Sequence, residues 1–293
     1  MTCAPPPKIA VLMAAYQGML WLQEQVDSIL QQADVEVHLF VSVDSSDDGT
    51  EDWITQRAAQ SGNITVLPCG LHFGSAGKNF YRLLRDTPLE QYDAVALADQ
   101  DDIWFNDKLS RAWSFLEQGY DAYSSNVIAF WPDGRKQCLN KAQPQTQYDY
   151  FFEAAGPGCT YLLRSSVACK LQHFLLSQQE RVELVDLHDW LIYAFCRNQK
   201  YKWYIDPRPG MHYRQHSSNQ VGANVSLKAY IKRIKLVKNG WYRGQVLNIT
   251  QLLTPEQVNH FNSRRFLVMN FSELRRRWRD KLYLLLLIVL GLY

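Results

Sequence analysis

The feature that most constrains this chain is a rhythm in its first 120 residues. Short apolar runs alternate with longer amphipathic segments, and each run ends in a small polar cluster. Residues 9–13 form such a run after a proline-rich start, and 37–43, 64–67 and 94–98 repeat it. Between the runs, Leu22, Val26, Ile29 and Leu30 recur at helical spacing. Thr50 stands where a cap opens a helix carrying Trp53, Ile54 and Arg57, and residues 79–84 and 107–118 read as further helices. Strands and helices in alternation predict an open, mostly parallel α/β sheet. Ligands of such sheets sit at the carboxyl ends of strands. The polar residues at those ends are Tyr16 and Gln17, 44–48, and 99–102.

After residue 120 the rhythm changes. Residues 127–131 followed by Pro132-Asp133-Gly134 predict a hairpin. Strands are expected at 159–163 and 201–205 and a helix at 189–197; beyond Ser226 the chain reads as helical and basic. With 293 residues, 47% of them apolar, there is room for one large domain, alone or with an appendage. The net charge of +2 conceals an asymmetry. Thirteen Lys/Arg face three acids between residues 228 and 281, which leaves −8 on the remainder. A basic tail on an acidic body points to an anionic partner for the tail alone. Six scattered cysteines without a C-x-x-C pair fit reduced thiols, and the N-terminus lacks the basic-then-apolar pattern of a secretory signal.

Five clusters can carry chemistry. Asp99-Gln100-Asp101-Asp102 packs three carboxylates at the end of a buried run. They repel one another, and oxygen ligands of this kind suit Mg²⁺ or Mn²⁺. A solvated acidic turn before the next helix is the plainer alternative. Asp44-Ser45-Ser46-Asp47-Asp48-Gly49-Thr50 offers an Asp able to accept from a base N–H or a ribose hydroxyl, or is simply a capped acidic turn. Gly74-Ser75-Ala76-Gly77-Lys78-Asn79-Phe80 sets glycines before a lysine at a helix start, where phosphate can bind, but it fits neither a P-loop nor a dinucleotide fingerprint. In His188-Asp189-Trp190 a carboxylate beside an indole is either a desolvated, more basic group or a helix N-cap. Finally, Arg214 can meet phosphate and His216 can ligate a metal, unless Tyr213-Arg214-Gln215-His216 is a surface loop.

Taken in order, these pieces resemble the family 2 glycosyltransferases with a GT-A fold, especially bacterial rhamnosyltransferase-like members. The match covers residues 8–222 and adds the Ala15-Tyr16-Gln17-Gly18 turn, Ile103-Trp104 and Gly156-Pro157-Gly158 to the clusters above. The resemblance implies an open mixed sheet flanked by helices over residues 1–225. Residues 1–120 would be its nucleotide-binding half and 121–225 its acceptor-binding half. It implies an inverting, metal-dependent transfer from a dTDP- or UDP-linked sugar to a saccharide or lipid-linked saccharide. By the same likeness Ala15, Tyr16 and Asp44 hold base and ribose, and Lys78 and Asn79 lie over the nucleotide. Asp99 contacts the ribose or the metal's waters, Asp101 binds the metal and His216 completes its site. Arg214 steadies the diphosphate and Asp189 is the base. Gly158, His188 and Trp190 lie on the acceptor side. The sequence departs from relatives at Val43, Ala15 and Gln17.

Residues 226–293 form the basic extension. Arg275-Arg276-Arg277-Trp278-Arg279-Asp280-Lys281 precedes an apolar stretch, 282–293, that is too short for the ~20 residues of a spanning helix. This pattern predicts anchoring at a membrane surface, hence a peripheral enzyme on the cytoplasmic face. The rival is a C-terminal helix packed on the catalytic domain or at a homodimer interface. No nucleic-acid module accompanies the charge. A sugar nucleotidyltransferase and a non-catalytic nucleotide-sugar or glycan-binding protein are the other functional readings.

Overall fold

The computed structural model describes residues 5–216, 236 and 239–293. Strand β1 (Lys8–Ala15) explains the architecture. Seven of its eight residues are buried, which requires cover on both faces. Alternate side chains divide between two cores: Ala10, Leu12 and Ala14 enter one, Ile9, Val11 and Met13 the other.

The chain continues through α1 (Met19–Leu30), β2 (Glu36–Val43), α2 (Thr50–Ala59), β3 (Ile64–Val66), α3 (Ala76–Asp86), β4 (Ala94–Ala98), β5 (Ile103–Trp104) and α4 (Lys108–Glu117). Then come β6 (Ala122–Ser125), β7 (Val127–Phe130), β8 (Lys136–Leu139), α5 (Asp149–Phe152), β9 (Leu162–Arg164), α6 (Ser165–Ser177), α7 (Gln179–Val182), α8 (His188–Asn198), β10 (Trp203–Asp206) and β11 (Met211–Arg214). The main sheet runs β10-β6-β9-β4-β1-β2-β3. It is parallel except for β9, which is antiparallel to β4 and β6. The sheet is therefore mixed, as the family resemblance implies. A small second sheet, β5-β11-β7-β8, contains the expected hairpin as β7 and β8. Apolar side chains of α1, α2 and α4 cover one face of the main sheet, and those of α3, α6 and α8 the other.

Register brings the functional turns together. Ala15 lies opposite Val43 and Met13 opposite Ala98, so the chain leaves β1, β2 and β4 at one edge.

Three local expectations fail for physical reasons. Residues 158–160 form a single 3-10 turn, in which Thr160 bonds through both its N–H and its hydroxyl to the Pro157 carbonyl; the strand begins only at Leu162. Thr50 does not cap α2, because Gly49 takes the N-cap position; the buried Thr50 hydroxyl instead accepts from Gly18 N–H. Asp189 is not a cap either: Leu187 precedes the first residue of α8, and Asp189 lies in the first turn.

The tail packs on the body. Val246, Ile249, Phe261, Leu267, Leu274, Leu284 and Ile288 belong to the same core cluster as α3, α6 and α8. The basic run is split as a result. Arg276 is buried, with its guanidinium 2.9 Å from Asp149, and Arg275 pairs with Glu153 and Asp280. These two arginines fasten the tail to α5 and are not presented to an outside surface. The stretch 228–238, Leu236 apart, and the proposed boundary at 225 fall outside the described residues.

Candidate active site

The acidic turn after β4 is a crowded, water-poor place. Burial and the charge of Asp101 push the Asp99 carboxyl up to about 7. Burial, with Asp101 and Asp99 close by, lifts Asp102 well above the carboxylate range. Asp102 is fully buried; one oxygen accepts from Arg214 N–H at 3.0 Å and the other has no hydrogen-bond partner. Asp101 meets His216 Nε2 at 2.6 Å, and the imidazole stacks on Trp21 with ring centroids 3.9 Å apart. An oxygen and nitrogen set with excess negative charge fits a hard divalent cation.

Cys159 lies within 4.8 Å of Asp99 and Asp102 ligand atoms. Burial holds its thiol well above the ordinary range, so it stays protonated beside the carboxyls. A soft, protonated thiol is a poor ligand for Mg²⁺ or Mn²⁺. Behind the turn, Lys108 is buried with its ammonium 3.2 Å from the centre of the Trp104 ring, and burial lowers it to about 7.

Asp189 occupies a different environment. Burial raises it to about 6, and one oxygen accepts from Trp190 N–H at 2.8 Å. Its charge is felt at Asp99, so the two groups share one region. The connection is short. A Cβ built on Gly158 would lie 3.2 Å from the Asp189 side chain and 2.6 Å from His188 Nε2, while the next residue, Cys159, contacts the acidic turn. Only glycine fits this crossing. His188 stacks on Phe80 at 3.9 Å, its Nε2 is buried without a partner, and burial lowers it to about 3, so the ring stays neutral.

The nucleotide-side candidates converge at the edge of β1 and β2. Tyr16 is exposed, and its backbone N–H and carbonyl both bond Gln100, each at 2.7 Å. Gly18 is needed here because a Cβ would lie 2.2 Å from Gln100 Oε1. Asp44 is buried behind Ala15 and accepts from the N–H groups of Ser45, Phe73 and Gly74, each at 2.9 Å, with His72 at 3.1 Å. It thus holds the 72–74 loop.

Other candidates take structural partners. Asn79 is buried and donates to the Ser42 carbonyl at 3.0 Å, tying α3 to β2. Lys78 is half-exposed, 3.9 Å from Glu183. Arg214 bonds the Asp101 carbonyl at 2.7 Å and pairs with Glu24. Trp190 is buried, its indole N–H bonds the Tyr150 carbonyl at 3.0 Å, and its ring stacks on Tyr242 of the tail.

This arrangement has relatives. Residues 5–172 match the model of the glycosyltransferase like family 2. The chain belongs to the family 2 glycosyltransferases. It is 44% identical over 289 residues to the dTDP-rhamnosyl transferase RfbG of Shigella flexneri, covering 96% of this chain and 100% of that one. Among solved structures it resembles S. aureus TarS 1-349 in complex with UDP (TM-score 0.58, 16% identity, 90% of this chain and 72% of that one). It also resembles the mannosyltransferase PcManGT from Pyrobaculum calidifontis in complex with GDP-Man and Mn²⁺ (TM-score 0.53, 14% identity, 98% and 81%). These last likenesses concern the GT-A fold. The chain is thus a glycosyltransferase that uses a nucleotide-sugar donor.

The transferase also has site residues that sequence reasoning passed over. Gln100 stood between two aspartates that drew attention away from it. Cys159 and Lys108 look like core and surface residues in a linear reading. Lys141, on the hairpin side, eases the charge of Asp189. None of them carries a motif, and only the spacing in Asp99-Gln100-Asp101 could have flagged one.

Proposed function

We propose that this enzyme moves a rhamnosyl group from a dTDP- or UDP-linked donor onto a hydroxyl of a saccharide or lipid-linked saccharide, with inversion, in cell-surface polysaccharide synthesis. The 44% identity to a dTDP-rhamnosyl transferase supports the sugar and favours dTDP. One observation carries the mechanism. Asp189 is a single half-buried carboxyl, raised by desolvation to about 6, across one glycine from the acidic turn.

The acceptor oxygen forms its bond to the anomeric carbon as the bond to the diphosphate oxygen breaks. The acceptor's proton passes to Asp189, which a carboxylate lifted toward neutrality can accept. A single displacement of this kind inverts the carbon. Asp101 and His216 would hold Mg²⁺ or Mn²⁺, with Asp99 beside them; the cation supplies positive charge where the leaving diphosphate gathers negative charge. Tyr16 offers an exposed ring to the base, beside the Ala15 backbone. Asp44 shapes the ribose end through the 72–74 loop, and Lys78 lies at the open edge above Asn79. Arg214 steadies the diphosphate end through its grip on the Asp101 carbonyl. Neutral His188 and Gly158 give the acceptor a flat, close approach.

The same reading sets the enzyme at the cytoplasmic face of the membrane, peripheral to it. No helix among the described residues is long and apolar enough to cross a membrane. The test of the mechanism is Asp189→Asn. Donor binding, measured by calorimetry, should persist while transfer falls by ~10²–10⁴-fold. Normal turnover in this variant would remove Asp189 from its role.

A further inference from the structure

The tail helix Trp278–Val289 is apolar on two opposite sides. Leu284 and Ile288 belong to the core cluster, and Leu287 is buried on the same side of the helix. On the other side Trp278, Leu282, Leu286, Val289 and the following Leu290 are 45–61% exposed. At 100° per residue, these five project within about a third of a turn of one another. Arg277 and Arg279 are exposed beside Trp278 at the start of the stripe; Arg277 donates to the Asn140 carbonyl at 3.2 Å, and neither pairs with an acid among the described residues.

We propose that this outer stripe is a docking face for an anionic lipid bilayer, with the helix lying along the surface. The inference rests on the peripheral-membrane reading above and names the residues that perform it. Twelve residues rise only about 18 Å, well short of the ~30 Å hydrocarbon layer. Deeper insertion would also tear Leu284, Leu287 and Ile288 from their buried positions. A helix whose inner side is already packed can offer lipid only its outer side. The arrangement at its start suits a bilayer surface: an indole seats at headgroup depth and two arginines meet lipid phosphate. Arg275 and Arg276, which look equivalent in sequence, are excluded by their internal partners. A second copy of the chain is the weaker occupant, because the stripe carries cations at one end and no acids on its exposed side to answer them.

The docked face also leads toward the chemistry. Tyr293 packs on Tyr242 at 5.9 Å, Tyr242 stacks on Trp190 at 5.6 Å, and Trp190 adjoins Asp189. A surface-held helix would thus sit close to the helix bearing the base, where a lipid-borne acceptor needs to arrive.

The experiment is flotation of the full chain with phosphatidylcholine vesicles, with and without phosphatidylglycerol. Native protein should float with the anionic vesicles and be released by salt. The double variants Leu282→Ser/Leu286→Ser and Arg277→Gln/Arg279→Gln should each lower the bound fraction at least tenfold, while Leu176→Ser, an exposed leucine on α6, should not. All variants should keep native transfer to a soluble acceptor, which shows that they fold. If the native chain fails to float, the membrane reading falls, and this inference with it. If it floats and the double variants float equally, the reading stands and this face is wrong. A native dimer in light scattering that Leu282→Ser/Leu286→Ser splits would assign the stripe to a second copy and overturn the proposal.

Discussion

Two desolvated carboxylate sites lie one short turn apart, and they are perturbed for different reasons. Asp99 and Asp102 are desolvated and also crowded, by Asp101 and by each other. Asp189 is raised by desolvation alone, which Trp190 N–H and Lys141 only partly offset. Crowding asks for a positive charge from outside. Desolvation alone makes a proton acceptor. The pair therefore divides labour between leaving group and nucleophile, and a single glycine keeps the two within reach.

The sharpest way to break this division is to neutralise each side and watch different readouts. Asp189→Asn should lower transfer by ~10²–10⁴-fold and leave donor binding intact. Asp101→Ala should act on the other quantity. Because disturbing even an outer-shell partner of a metal costs ~10–100-fold, loss of a direct ligand should weaken Mn²⁺-dependent donor binding by at least that much. Calorimetry with and without Mn²⁺ measures it. If both variants lost donor binding alike, the two sites would be one functional unit and the comparison would fail.

A smaller effect separates the sites by pH. Asp189 works only when ionised, so kcat/KM should be flat above about pH 6 and fall tenfold per unit below it. Stability should move the opposite way. The folded value lies above the ordinary 3.8, so the folded state binds more protons between about pH 4 and 6, and this group's contribution to stability declines as pH rises through that window. Asp189→Asn removes a half-buried ionisable group and should be no less stable than native near pH 8. A thermal scan at pH 5 and pH 8 checks the sign.

Much of this was legible in the sequence. The period of the apolar runs gave the sheet, since strands covered on both faces read as continuous hydrophobic segments. The three polar turns at strand ends followed from that. Cooperation between the acidic turn and Asp189 was legible only through the family resemblance, not from the residues themselves. Residues 99–102 and 189 are far apart in the chain, and what joins them is the close crossing at Gly158, visible only once β9 is seated between β4 and β6. The tail was half legible. Its amphipathic, basic character is plain, yet Arg275 and Arg277 look alike until Glu153 and Asp280 claim one of them. Charge runs do not reveal which members face inward, because that depends on partners elsewhere in the chain. The stacking of Trp190 on Tyr242 was hidden for the same reason, since its partner lies in the tail.

The mildest prediction concerns Gln100, whose amide makes two hydrogen bonds to the backbone of Tyr16 at 2.7 Å each. This pairing works like one rung of a sheet ladder between the base-side turn and the metal-side turn. It can persist only because residue 18 lacks a side chain. Gln100→Ala removes both bonds, a loss of about 1–3 kcal/mol at most, reduced by the exposure of the pair. The effect should therefore fall on alignment. Donor KM should rise several-fold with kcat little changed, since Asp189 is untouched. Gln100→Glu separates the two bonds: its carboxylate can still accept from Tyr16 N–H but cannot donate to the carbonyl, and it adds a fourth carboxyl group to the acidic turn. With one more carboxyl oxygen beside the site, that variant should bind Mn²⁺ no more weakly than native while still losing donor affinity. If Gln100→Ala lowered kcat and left KM alone, the two turns would not be coupled through this amide, and the donor side of the comparison would have to be rebuilt around Asp44 and its loop.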